Sequence, residues 1–130
     1  MFKTSALALG LVLGATGIAA AQEAATTQDP DTAVSAARNQ LGVLEYCQTE
    51  GHIDSAAVDI QTELLALMPA ATDEAAAQTA YEKGQQGTVS AMGVEQSLAD
   101  AAAEQGTDEA ALCTQLASLV QQAGEELPAQ

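Results

Sequence analysis

The chain has 130 residues with eighteen Asp and Glu against three Lys and Arg, a formal charge of −15, and no Trp. That charge excludes nucleic-acid binding, because affinity for a phosphate backbone is gained by setting Lys and Arg against it. The length suits one small domain, and large apolar residues are so sparse that alanine helix propensity and a covalent tie must supply much of the stability.

Residues 1–21 read as a cleaved signal peptide. Lys3 supplies the positive start, Ala6 to Ile18 an apolar run, and Ala19, Ala20 and Ala21 the small residues of a cleavage site. The run is shorter than the ~20 residues that span a bilayer, which weighs against the alternative of a retained anchor. Cleavage near Ala21 would deliver a chain starting at Gln22 to the periplasm or outside the cell. Residues 22–30 then form a flexible leader, 31–124 a helical domain and 125–130 an acidic tail.

The spacing predicts a first helix over Thr32 to Glu50, capped by Asp31 or Thr32. Val34, Ala37, Leu41, Leu44 and Cys47 share one of its faces, and Gly51 stands where a terminating glycine belongs. Gly42 inside it costs helix stability and permits a close helix contact. A second helix opens at Asp54 or Ser55, buries Ala57, Ile60, Leu64 and Leu67, and stops at Pro69. As the most apolar segment, it is expected at the centre of a bundle. Thr72 caps a third helix running to about Lys83, and residues 84–87 read as a loop. Thr88 to Gln105 reads as a fourth helix carrying Val89, Met92, Leu98 and Ala102, with a break near Gly93 as the alternative. A fifth, capped by Thr107, turns Leu112, Cys113, Leu116, Leu119 and Val120 inward. The fold class is therefore all-α, a small bundle of four or five short helices.

Cys47 and Cys113 are the strongest constellation. Two cysteines on inward helix faces of an exported chain most often form a disulfide. In the loop-entropy picture, closing a loop of this length stabilises by about 4 kcal/mol. His52, the single histidine, lies five positions after Cys47 with Glu50 and Asp54 beside it. A cysteine-nucleophile site would need a free thiolate, which the disulfide removes. A zinc site would need three or four ligands, more than one His and a paired cysteine supply. His52 is read as a turn residue, with a pH-sensing role as the alternative. Asp29 with Asp31, and Asp73 with Glu74, lack the spaced loop of a calcium site. Catalytic, cofactor and metal residues are therefore assigned as none, and the chain is read as a non-enzyme.

The Cys47 segment, with Tyr81-Glu82-Lys83-Gly84, Gly87-Thr88-Val89-Ser90 and Leu112-Cys113, resembles a family of small exported bacterial proteins. That family is labelled pore-forming, of the early-secreted-antigen type. A weaker likeness is to periplasmic acid-stress chaperones, which are small, helical and tied by one disulfide. The first resemblance implies membrane activity, which for so anionic a chain would need acid to neutralise carboxylates. The second implies acid-exposed apolar surface that holds other proteins. Neither implies a catalytic residue. The leading expectation is a non-enzymatic binding role with an unidentified protein partner, with no cofactor, and with the oligomeric state left open.

Overall fold

The computed structural model describes residues 29–91 and 93–128. The expected signal segment, nearly all of the leader, Met92 and the last two residues lie outside that range. The order of elements is α1 (Pro30–Thr49), α2 (Ala56–Ala66), α3 (Glu74–Gln85), β1 (Thr88–Ala91), β2 (Val94–Ser97), α4 (Leu98–Gln105) and α5 (Glu109–Glu125). The fold is mostly helical, a small bundle tied by one disulfide, as the apolar spacing and the two cysteines imply.

Short polar side chains start the helices. The Asp29 carboxylate accepts from the Asp31 amide at 3.0 Å, with Pro30 in the first turn, where its missing N–H leaves nothing unpaired. Asp73 accepts from the Ala76 amide, Ser97 from Asp100 and Asp108 from Ala111. The caps of α1, α3 and α5 fall within two residues of the positions expected from the sequence, with Thr72 and Thr107 yielding the capping role to the aspartates that follow them, whereas α4 starts well after the expected Thr88, at Ser97.

The chain runs down α1, back along α2, and then forward again along α3, so α1 and α3 are parallel neighbours. Asp31 meets Thr72, Asn39 meets Ala80, and Glu45 meets Tyr81 and Gln85. The two helices touch backbone to backbone. A Cβ on Gly42 would strike the Tyr81 carbonyl and stand 2.8 Å from the Gln85 amide nitrogen. One on Gly84 would strike the Asn39 carbonyl and stand 2.8 Å from the Val43 nitrogen. Gly84 and Gln85, expected in a loop, belong to α3 because this contact secures its last turn.

α1 is the central element, not α2. It buries Val34, Asn39, Gly42, Val43, Leu44 and Cys47. α2 buries only Ala57 and Gln61 and leaves Leu67 66% exposed. High mean apolarity placed α2 at the centre on paper, but its large side chains are spread around the helix and only one edge meets α1 and α5. α5 lies antiparallel to α1, with Cys113 against Cys47 and Ala117 and Val120 against Leu44. The core is three small clusters, about Cys47, Leu44 and Val34, the last two rich in alanine. A buried methylene contributes about 0.8 kcal/mol, so such clusters hold the fold with little to spare.

The expected fourth helix is corrected. Only Leu98–Gln105 is helical, and Thr88–Ala91 pairs antiparallel with Val94–Ser97 as a two-stranded hairpin. Gly87 ends α3 with φ +79°, and a Cβ there would lie 2.9 Å from the Tyr46 ring. Gly93, φ +78°, sits in the two-residue connection between the strands. Glycine is the residue that tolerates both conformations, and short connections of this kind close hairpins.

Candidate functional site

The hairpin positions the most distinctive surface of the molecule. The register pairs Val89 with Gln96 and Ala91 with Val94, which places these four side chains on one face of the sheet. Thr88, Ser90, Glu95 and Ser97 occupy the other. In most half-buried hairpins the apolar face meets the core. Here the apolar face looks across an open groove of about 330 Å³, whose far wall is α4 and α5 with Leu98, Ala101, Leu112, Leu116 and Leu119. Val94 is 67% exposed and Leu119 56%. The remaining lining side chains include three glutamines, Gln96, Gln105 and Gln115, and none is charged.

Asn39 fixes the hairpin in this orientation. It is buried in α1, donates to the Ala80 carbonyl at 2.8 Å and to the Thr88 carbonyl at 3.0 Å, and accepts from the Ser90 amide at 2.8 Å. Its side-chain amide thus imitates a neighbouring strand along the outer edge of β1. Lys83 of α3 pairs with Glu95 on the polar face of the hairpin. The groove wall has its own polar link, Gln96 donating to Glu104 at 2.7 Å.

A second polar cluster joins α1 to α3. The Tyr81 hydroxyl donates to Glu45 at 2.6 Å, and Gln85 donates to both Glu45 and Tyr81 at 2.8 Å. The hydrogen bond to the Glu45 carboxylate, with burial second, pushes the Tyr81 phenol up to about 12. Tyr46 donates to Glu109 at 3.3 Å, and burial, followed by the charges of Glu109 and Glu50, raises its phenol too. Asp31 is held below the usual carboxylate range by the Thr72 hydroxyl and then by the Thr72 amide.

Set against known protein families, curated proteins and solved structures, the chain matches none. What it can do must be read from its own surfaces.

Cys47 and Cys113 are joined, with Cα atoms 5.6 Å apart and both residues fully buried. His52 sits half-buried in the turn after α1, where its backbone amide donates to the Cys47 carbonyl at 2.9 Å. The junction expected there is thus a covalent tie with a turn folded against it. Among the described residues no group of three His, Cys, Asp or Glu is placed to hold a metal ion, and no helix is long and apolar enough to cross a membrane.

Sequence reasoning missed the groove and its anchor. Val89 and Ala91 carried a period-two signal that the three-residue spacing of Val89 and Met92 concealed. Leu119 was expected inward and faces the groove instead. A sign was present there too. Leu112, Leu116 and Leu119 form one stripe of α5, and Cys113, Ala117 and Val120 form another, so the apolar surface is wider than one contact needs. Asn39, whose neighbours on its own helix face include Ala36, Gly42 and Val43, was the corresponding clue for the hairpin anchor.

Proposed function

We propose that this chain works outside the cytoplasm as a small non-enzymatic binding protein whose hairpin groove receives apolar side chains of a polypeptide partner. One observation carries the reading: the apolar face of the hairpin, anchored by Asn39, lines an open groove with no charged side chain, across from Leu98, Leu112 and Leu116 at the edge of the core. An apolar face left in water forgoes about 25 cal/mol for every Å² that a partner could cover. Exposed apolar patches rimmed by polar groups mark interaction sites. Placement outside the cytoplasm is supported by the pattern of residues 1–21 and agrees with the disulfide.

The test is a neutral environment-sensitive dye added to the purified protein. Its emission should rise with wild type and fall sharply with Leu119→Asp and Val94→Asp. Leu67→Asp, equally exposed but outside the groove, serves as the control. Equal emission from all four proteins would sink the reading. Intact mass of the exported product, expected to start at Gln22, checks the compartment.

A second reading, membrane activity or chaperone-like holding in acid, draws on the same exposed Val94 and Leu119 and on the family resemblance. It predicts that dye release from liposomes, or suppression of a client's aggregation, appears as carboxylates are neutralised. Absence of both from neutral to mildly acidic pH would end it.

A further inference from the structure

We infer that the open edge of β2, together with the groove beside it, takes an extended polypeptide segment as a third strand, one that alternates apolar with basic or neutral side chains. This rests on the reading of the groove as a binding surface and names the partner's chemistry.

The backbone register decides which edge is open. The Leu98 amide donates to the Gly87 carbonyl at 2.9 Å, so the bonded pairs that follow are Val89 with Gln96 and Ala91 with Val94. The amides and carbonyls of Thr88 and Ser90 therefore point out of one edge, and the Glu95 amide and carbonyl and the Ser97 amide out of the other, the Ser97 carbonyl being taken by the first turn of α4, which Ser97 caps. Asn39 occupies the first edge. Along the second, no strand pairs with β2 among the described residues. Unpaired strand edges are templates for an added strand, with main-chain bonds giving affinity and alternate side chains giving choice of partner.

A strand laid beside β2 extends the face that carries Val89, Ala91 and Val94. Every second side chain of the added segment then lies on the groove side of the sheet, toward the wall that Leu112, Leu116 and Leu119 complete. Charge selects among such segments. The groove lining is uncharged, and Glu104 stands at its rim through its bond to Gln96. The two described cations are already engaged, Arg38 with Glu74 and Lys83 with Glu95. An acidic segment would meet only like charge from this chain, while a basic one meets complementary charge. The same argument disfavours a second copy of this chain, which brings its own formal charge of −15.

The experiment titrates the whole exported protein with a blocked peptide alternating lysine and valine, followed by calorimetry and by amide shifts in NMR spectra. The peptide should bind, with the largest backbone shifts at Glu95 and Ser97. N-methylation of one set of alternate peptide residues should weaken binding about tenfold while methylation of the other set does not, since only one set can donate to β2. A glutamate–valine peptide should bind at least about tenfold more weakly at low salt, and the difference should shrink as salt is added. If both methylated peptides bind like the parent while Leu119→Asp abolishes binding, strand addition is overturned and the groove reading survives. If the lysine–valine peptide does not bind although the neutral dye still enters the groove, the partner chemistry is wrong. If neither binds, the groove reading itself fails. Concentration-dependent dimerisation that shifts the same two amides without peptide would make a second copy the occupant and overturn the proposal.

Discussion

Replacing Gly84 by alanine sets two effects against each other, and the structure decides which wins. Within a helix the change from Gly to Ala ordinarily stabilises by about 1 kcal/mol. Here the new methyl would touch the Asn39 carbonyl and lie 2.8 Å from the Val43 nitrogen and 3.0 Å from the Gly42 carbonyl carbon. Comfortable contact needs about 3.5–4.0 Å, and these neighbours are backbone atoms that have no rotamer to change. The helices must therefore separate by about 1 Å, a strain of about 1–3 kcal/mol typical of overpacked interiors. Separation also stretches the bond that Asn39 makes to Ala80, which runs across the same interface. Loosening buried partners adds about 1–3 kcal/mol. After the propensity gain is subtracted, Gly84→Ala should lose about 3 kcal/mol. Urea unfolding followed by far-ultraviolet circular dichroism reads this as a lower midpoint with an unchanged slope. Gly42→Ala should behave alike, and the double variant should lose less than the sum, because helices parted by one methyl accept the second more easily. A Gly84→Ala midpoint equal to or above wild type would refute the backbone contact.

Further outcomes follow from other contacts. Reduction of Cys47–Cys113, which are 66 positions apart, should lower stability by about 4 kcal/mol, read from urea midpoints with and without reductant, and alkylatable thiols should appear only as the chain unfolds. Asn39→Ala should cost about 2 kcal/mol and speed hydrogen exchange at the Ser90 amide, which loses its acceptor. Tyr81 ionises at about 12 when folded against 10.0 when free, so its bond to Glu45 stabilises fully below the free value and is lost as pH rises toward the folded one. Phenolate absorbance should show a late step that Tyr81→Phe removes. Asp31 has the opposite sign: its depressed carboxyl stabilises above the free value of 3.8 and releases Thr72 as pH falls through the lower folded value. A carboxyl titration by NMR should place Asp31 below that value, and Thr72→Val should bring it part of the way back, since the Thr72 amide still donates.

The parts of the fold legible in the sequence are those set by side-chain counting. Cys47 had one partner to find, and Val34, Leu44 and Cys47 marked the inner face of α1 by their spacing. What escaped depended on backbone approach. Gly42 could be read as permitting a close contact, but nothing local announces that Gly84 is its counterpart, because the two meet only once α3 has been brought parallel by the return through α2. The hairpin escaped because residues 88–97 satisfy a three-residue and a two-residue period at once. The glycines at 87 and 93, each at positive φ, resolve the choice. The groove was hidden for a related reason: α5 carries two adjoining apolar stripes, and a sequence shows that both exist without showing that Leu112 and Leu116 also touch the core while Leu119 is left at the groove.

The covalent tie also has a mechanical meaning. Tension applied at the two ends of the chain passes through Cys47–Cys113 and never stretches the segment between them. What tension can peel away is α1 up to Cys47 and α5 beyond Cys113, and α1 includes Asn39. A pull on the termini would thus free the hairpin from its anchor while leaving the hairpin itself unloaded. The same pull strips Leu116 and Leu119 from the far wall, so force at the termini dismantles the groove from both sides.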